Sequence, residues 1–506
     1  MGLLPYGQID IGEPDANAEY MQALKSKQDP VFIRSYFNLD LPNFEQFESG
    51  TKFIIIGQKG TGKTAVLRYL ENRSIKQGYA TEFIIFKNTI LREAELFSVN
   101  DFGIANPLID EEKIFTTKYY LHTIKRILLS VIISAVKGAI SEADVSDDEN
   151  KSLVSKILSG NAADSIRAAY DSIASIVNSA GVDIKKLSKG RVTFDPALYV
   201  KKSNDQLLAE IVRKCKADPV KIRIFIDELH FSYRDSDHVS SDAALVRDTI
   251  VSCLNLNERF IREGVDITMY IGVRSEFLEQ PEIGYADIVQ TVESYGEQIN
   301  WETYPVDSKH PIFELARLRF QDTSGNIITK DQLFSAYLNG VDAVEFLKYT
   351  WCKPRDIVRY FKHCKAMYPN QITLSSREYG AVIRQYSMKA WDEVRSAISA
   401  FIPSNSMLEF EKIVKSIVPR QFDGSLKLNY EEFSKKFNSI SKIVSKKNPS
   451  ITHIQLMDWL YKIGLYYFEY EDSNGNIIYQ QYHRGNRTPT KEGCVKIHLA
   501  IAKALG

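Results

Sequence analysis

Phe53-Ile-Ile-Ile-Gly57-Gln-Lys-Gly60-Thr-Gly62-Lys63-Thr64 carries an apolar run straight into the pattern G-x-x-x-x-G-K-T. This is a Walker A motif, and its order follows from what a triphosphate needs. A buried strand delivers the chain, glycines let the backbone pass close to the phosphates, and successive N–H groups at a helix N-terminus hold negative charge. Gly57, Gln58, Lys59, Gly60, Thr61, Gly62, Lys63, Thr64 and Ala65 are the expected cradle. Lys63 is placed to neutralise the β- and γ-phosphates and Thr64 to offer its hydroxyl to Mg²⁺. Val66, Leu67 and Leu70 then repeat with helical spacing, as the motif requires.

Composition limits what can surround this motif. A chain of 506 residues is too long for one hydrophobic core, and about three domains of ~150 residues are expected. Lys+Arg and Asp+Glu balance at 64 each, so no global field draws the chain to nucleic acid or membrane. Cys215, Cys253, Cys352, Cys364 and Cys494 are dispersed and lack metal-ligand spacing, which fits free thiols in a reducing cytosol. The longest apolar stretch, Ile127 to Val136, is interrupted by Ser130 and Ser134 and falls short of the ~20 residues that span a bilayer. The N-terminus Met1-Gly-Leu-Leu-Pro-Tyr has no basic leader and no cleavage pattern. A cytoplasmic protein without membrane association is expected.

Along the chain, residues 1–50 read as a lead-in and 51–300 as an α/β P-loop core. Glu82-Phe-Ile-Ile-Phe86 is a second candidate strand. A large helical insertion spans about 111–216, with apolar periodicity over Tyr119 to Val136 and more weakly over Ile166 to Val177. An acidic turn lies at 147–150, and Leu207, Leu208, Ile211, Val212 and Cys215 share one helix face. Ile222-Arg-Ile-Phe-Ile226-Asp227-Glu228 is a buried-strand run ending in two carboxylates, the Walker B form. Asp227 is placed to hold Mg²⁺ and Glu228 to polarise the attacking water, because side chains at a strand end alternate in direction. His230 reads as a loop residue without a role. A third strand, Ile267 to Val273, ends at Arg274, a candidate to read the γ-phosphate in its own subunit or a neighbour. Residues 301–424 read as a helical lid. In it, Trp351-Cys-Lys-Pro354-Arg355-Asp356-Ile-Val-Arg359 starts a helix at Pro354. Arg355 either reaches the nucleotide from that helix start or lies exposed beside an Asp356–Arg359 surface pair.

Residues 425–506 carry another pattern. Helices are expected over Tyr430 to Phe437 and Ile451 to Ile463, the second capped by Ser450 with Ile454, Met457, Leu460 and Tyr461 on one side. Two alternating strands follow, joined through Ser473-Asn474-Gly475-Asn476, and then a closing helix from Cys494 to Leu505. This is the order of a winged-helix domain. Arg484, Arg487 and Lys491 follow the wing, whereas the second helix pairs Lys462 with Asp458. The wing either contacts DNA through these cations or packs on the nucleotide domain as a brake.

The constellation resembles the AAA+/STAND grade of P-loop ATPases, whose origin-recognition-like members also end in a winged helix. More closely it is similar to a family of bacterial P-loop ATPases of largely undefined role. The residues that carry the resemblance are Gly57 to Thr64, Val273-Arg-Ser-Glu276, Ile299-Asn-Trp301, Lys353-Pro-Arg-Asp-Ile-Val-Arg359 and Arg384-Gln-Tyr-Ser387. It implies an ATP-binding core with Mg²⁺, a helical lid and a C-terminal wing, with some relatives suspected in defence against phages. The size of the insertion between Lys63 and Asp227 departs from a compact AAA+ core. Leu158-Ser159-Gly160-Asn161 matches only half of an ABC signature, and no guanine-reading N-K-x-D stands in a suitable place. Three readings remain: an ATP-driven switch in a defence or signalling complex, an ATP-dependent DNA-binding or remodelling factor, and a nucleotide-stabilised scaffold, against which Glu228 argues. No nuclease, protease or deaminase constellation is present. A homo-oligomer and a protein partner or effector are therefore expected, with DNA as the alternative ligand of the winged helix.

Overall fold

The structure is a computed structural model that describes residues 2–36, 44–86, 119–139, 196–229, 237–278, 286–302, 306–399, 402–422, 427–447 and 451–506. The expected helix over 166–177, the turn at 147–150, the half-signature at 158–161, His230 and Ser450 lie outside them.

The central sheet has the order β2-β3-β4-β1-β5, and each neighbouring pair is parallel. β1 is Ile54–Gly57, β2 Ala80–Ile85, β3 Lys221–Asp227, β4 Asp266–Arg274 and β5 Gly296–Gln298. β1 is wholly buried, and β3 and β4 are buried along nearly their whole length. That is why they read as continuous apolar runs rather than as alternating ones. The P-loop helix Lys63–Lys76 packs on β1 to β4 through the expected Val66, Leu67 and Leu70. The long helix Asp237–Glu263 packs on β4, and the helix Tyr119–Ala139 packs on β2 and β3. Tyr119–Ala139 also meets Pro196–Ala217, where Leu208, Ile211, Val212 and Cys215 are buried as their spacing requires. The strand β4 lies between the two Walker strands β1 and β3. Its register sets Arg274 beside Gly57.

Past the sheet, the helices Pro311–Arg317, Ala343–Lys348, Pro354–Met367 and Ser376–Ile398 occupy the segment expected as a lid. The N-terminal stretch does not rest on the nucleotide domain alone. Tyr6 is fully buried against the lid, its hydroxyl donates to Tyr337 O (2.8 Å), and the Tyr337 hydroxyl donates to Leu4 O (2.7 Å). Farther along, Lys365 Nζ donates to Ile9 O (2.7 Å) and Arg319 Nη1 to Ile11 O (2.6 Å). The helix Ala16–Ser26, capped by Asp15, then packs on the P-loop helix, where Arg68 Nη2 donates to Asn17 Oδ1 (2.7 Å).

The C-terminal unit has three helices, Tyr430–Lys435, Asn438–Lys447 and His453–Lys462, followed by an antiparallel sheet of order β7-β6-β8. β6 is Tyr466–Glu471, β7 Ile477–Gln480 and β8 Cys494–Ile497. In the β6–β7 turn, Asp472 Oδ1 accepts from Asn474 N and Asn476 N, each at 2.8 Å. This order is compatible with a winged-helix domain, with two corrections to the sequence reading. Cys494 to Ile497 is a third strand paired to β6, burying Val495 and Ile497 in alternation, and the closing helix is only Leu499–Leu505. Thr452, not Ser450, caps the helix His453–Lys462 through a reciprocal box with Gln455, and Ile454 is exposed while Leu456 takes its place in the core. The closing helix packs on the lid helix Ser376–Ile398, whose Tyr386, Ala390, Trp391, Val394 and Ile398 share one core with the C-terminal unit. The helix Met407–Phe422 belongs to the same core through Phe410, Val414, Ile417 and Val418.

Candidate nucleotide site

The P-loop turns on two glycines. Gly60 and Gly62 have φ of +85° and +102°, a region a side chain enters only at a cost. Gly62 caps the helix Lys63–Lys76 with no side-chain acceptor for the first-turn N–H groups, which leaves those donors for an anion. Thr61 Oγ1 donates to Gln58 O (2.8 Å), and Trp301 Nε1 donates to Thr61 O (2.9 Å), so the loop is tied both to itself and to the segment after β5. Lys63 lies inside the loop, donating to Gly57 O and Gln58 O at 2.8 Å each. Burial pushes its ammonium down to about 8, against the opposing charges of Glu276 and Asp227.

The two Walker motifs meet directly, since Thr64 Oγ1 donates to Asp227 Oδ2 at 2.5 Å. Asp227 is buried at the end of β3. It fits because the neighbouring β4 position is Gly272, where an added Cβ would stand 2.8 Å from Asp227 Oδ1 and 3.1 Å from Leu67 Cδ1. Glu228, the next residue, is half-buried with a left-handed φ of +54°. Such strain in a non-glycine residue is held by surrounding structure and gathers at functional sites.

Lys59, Gly60, Gly62, Lys63, Thr64, Ala65, Asp227, Glu228, Arg274 and Arg355 line one cleft of about 430 Å³. Of the sequence-read set, Gly57, Gln58 and Thr61 do not line the cleft. Gln58 is buried, and its amide donates from Nε2 to Glu302 Oε1 (2.9 Å) while its Oε1 stands 2.7 Å from His483 Nδ1 of the C-terminal unit.

Arg355 belongs to the helix Pro354–Met367, with Pro354 at its first turn. It is not an exposed arginine beside a surface pair: its stem lies against Gly60, Nε donates to Pro14 O (3.2 Å), and Nη1 pairs with Glu393 (3.1 Å). Asp356 is buried, with Oδ2 accepting from Trp351 N (2.9 Å) and Lys353 N (3.1 Å) to fix the start of the helix. Arg359 pairs with Glu393 (2.7 Å) rather than with Asp356 at a surface. Several further cleft residues carried no signal in sequence. Glu13, Pro14, Asp15 and Ala16 come from the N-terminal stretch, Phe32 from a short helix after it, and Arg319 and Glu393 from the lid. Pro354, Val358 and Arg359 stood in the quoted motif at the helix start, and Gly272 in the third strand.

The three expected wing cations are engaged within the chain. Arg484 Nη2 donates to Leu347 O (3.0 Å), Arg487 stands 3.4 Å from Glu302, and the Lys491 ammonium lies 4.7 Å from the Tyr430 ring centre. Among the described residues no cluster of His, Cys, Asp and Glu is arranged to hold a metal on its own. None of the described helices is long and apolar enough to cross a membrane.

The fold is that of P-loop nucleoside triphosphatases in which one strand separates the two Walker strands. Residues 27–232 match the model of a family described as ORC-CDC6-like, a segment running from the N-terminal region through β3 and Glu228. Among solved structures, the Aeropyrum pernix ORC1 protein in complex with DNA is 11% identical, with 94% of this chain and 95% of that chain covered and a TM-score of 0.35. The Aeropyrum pernix ORC2 protein, in ADPNP–ADP complexes, is 12% identical, with 87% of each chain covered and a TM-score of 0.29. Superpositions this loose transfer no residue roles. No curated protein matches the chain.

Proposed function

We propose that this chain binds ATP with Mg²⁺ in the cleft and hydrolyses it to switch the relation of the lid and winged unit to the nucleotide domain. The observation that carries the reading is convergence: Lys63, Thr64, Asp227, Glu228, Arg274 and Arg355 arrive from separate segments and line one cleft. The donors suit the ligands, since Thr64 hydroxyl and Asp227 carboxylate are the hard oxygen groups Mg²⁺ takes. When bound there, Mg²⁺ supplies charge neutralisation along the triphosphate. Lys63 and the loop N–H groups hold the phosphates, Glu228 takes the proton of the attacking water, and Arg274 and Arg355 stabilise charge on the transferred group. Pro14, Ala16 and Phe32 offer an apolar wall for the base.

The winged unit acts in this reading as a docked brake, because its cations are committed within the chain and His483 reaches the P-loop. In keeping with the bacterial ATPases the chain resembles, the output passes to a protein partner in a defence or signalling complex. The deciding experiment is an ATPase assay of the full chain with and without DNA. Mg²⁺-dependent turnover that Lys63→Ala abolishes and DNA leaves unchanged is expected. Absence of nucleotide binding would remove the reading, and strong stimulation by DNA would favour a DNA-remodelling factor instead.

A further inference from the structure

Glu393 lies on the lid helix Ser376–Ile398, far in sequence from both Walker motifs, yet it lines the same cleft. One of its oxygens, Oε1, accepts from Arg355 Nη1 (3.1 Å) and from Arg359 Nη2 (2.7 Å). Burial alone would raise its pKa, but Arg359, Arg355 and Lys59 hold the carboxyl down at about 2, so it is an anion at any working pH. The two arginines stand one turn apart on the helix Pro354–Met367, and the stem of Arg355 rests on Gly60 of the P-loop. Arg355 therefore sits between the phosphate cradle and an internal carboxylate. Arg359 Nη1 is buried with no hydrogen-bond partner among the described residues, a donor left over after Glu393 has been shared. Buried donors of this kind call for an acceptor.

We propose that Glu393 is a built-in competitor of the γ-phosphate, and that it sets the discrimination between ATP and ADP by holding Arg355 until a third phosphate takes it. This rests on the ATP reading of the cleft. A guanidinium binds a carboxylate and a phosphate with the same planar fork, so the two anions are alternative partners for one donor face. A diphosphate stops short of the exchange and leaves the Glu393 pair intact. A triphosphate breaks one ion pair to form another, which weakens its apparent affinity but makes its binding felt on the helix Ser376–Ile398. That helix shares its core with the winged unit through Trp391 and Val394 on either side of Glu393. The exchange thus reports the presence of the γ-phosphate to the C-terminal unit.

The test is calorimetric titration of the full chain, in Mg²⁺, with ADP and with the β,γ-imido analogue of ATP. Glu393→Gln is expected to tighten the triphosphate roughly tenfold while ADP changes by less than about twofold. Glu393→Asp keeps the charge and should stay near wild type, and in an Arg355→Ala background the effect of Glu393→Gln on the ratio should vanish. Equal shifts for both nucleotides, or weaker triphosphate binding in Glu393→Gln, would overturn the proposal, the latter making Glu393 a prop for Arg355. Should Lys63→Ala bind both nucleotides like wild type, the ATP reading itself fails, a result distinct from any change in the ratio. A melting curve without nucleotide separates loss of fold from each of these outcomes.

Discussion

His483 Nδ1 stands 2.7 Å from Gln58 Oε1, joining the turn after the wing to the second residue of the P-loop. Gln58 cannot reverse its amide without facing its oxygen to Glu302, so the imidazole is the donor. The backbone oxygen of the same glutamine accepts from Lys63 Nζ. A chain of contacts therefore runs from the C-terminal unit to the Walker lysine, and any coupling of docking to nucleotide binding would act equally in both directions.

His483→Ala should raise basal ATPase activity by roughly twofold to tenfold, the worth of an ordinary buried hydrogen bond of ~0.5–1.5 kcal/mol. Gln58→Ala should do the same, and the double variant should add little. A point variant is the right tool, because removing residues 425–506 would strip the lid helix of the core it shares with the winged unit. Unchanged or lower turnover in His483→Ala would remove the brake.

Acid should destabilise the fold. His310 and His498 each cap a helix by accepting at Nδ1, from Ile312 N (3.2 Å) and Ala500 N (3.1 Å), so a proton at that nitrogen breaks the cap. Burial first, then the Arg484 charge, holds His498 at about 3, and burial holds His310 at about 4. The unfolded chain, near 6.5, takes up these protons first. The stabilisation is thus complete above pH ~6.5 and is lost as pH falls toward 4, at about 1.4 kcal/mol per unit for each histidine. Melting temperatures at pH 7, 6 and 5 should fall progressively, and less steeply in His498→Gln. A flat profile would contradict the assignment.

Lys63→Ala should weaken ATP binding at least tenfold, since a charge-assisted contact of ~1.5–3 kcal/mol is lost. Glu228→Gln should bind ATP and hold it unhydrolysed, because the amide keeps the shape but accepts no proton from water. Turnover within about threefold of wild type in Glu228→Gln would assign water activation to another group.

Arg274→Ala and Arg355→Ala should each lower turnover more than binding if both stabilise the transferring phosphoryl group. Mixing Arg274→Ala chains with Glu228→Gln chains tests whether Arg274 also serves a neighbouring copy. Recovered activity supports a shared site, whereas no recovery together with a monomeric mass confines Arg274 to its own cleft.

Asp356→Ala should destabilise the start of the helix Pro354–Met367 by about 1–3 kcal/mol, because the buried N–H of Trp351 and the half-buried N–H of Lys353 lose their acceptor. Denaturant unfolding measures this directly, and a loss below about half a kcal/mol would return Asp356 to the surface role its spacing also allowed.

What the sequence made legible was local. Gly60, Gly62, Lys63 and Thr64 announce their chemistry by spacing, and Ile222 to Ile226 is apolar apart from Arg223 because both faces of its strand are covered. The contacts that join distant segments left no periodic trace. Gln58 and His483 are 425 positions apart, and nothing near either names the other. Glu393 sits in a helix whose pattern reports only its apolar face. Cys494 to Ile497 was misread because four residues are too few to separate a strand from the first turn of the helix that follows.

The N-terminal stretch ties two bodies together. One end is anchored where Tyr6 and Tyr337 exchange hydroxyl bonds with each other's surroundings, the other where Asn17 grips Arg68 on the P-loop helix, and Pro14 between them bears on Arg355. Glu13 to Ala16 of this stretch line the cleft wall. Any outward swing of the lid must take up the slack in these few residues or draw an aromatic ring out of its socket, so the first turns of the chain set the limit of travel for the last.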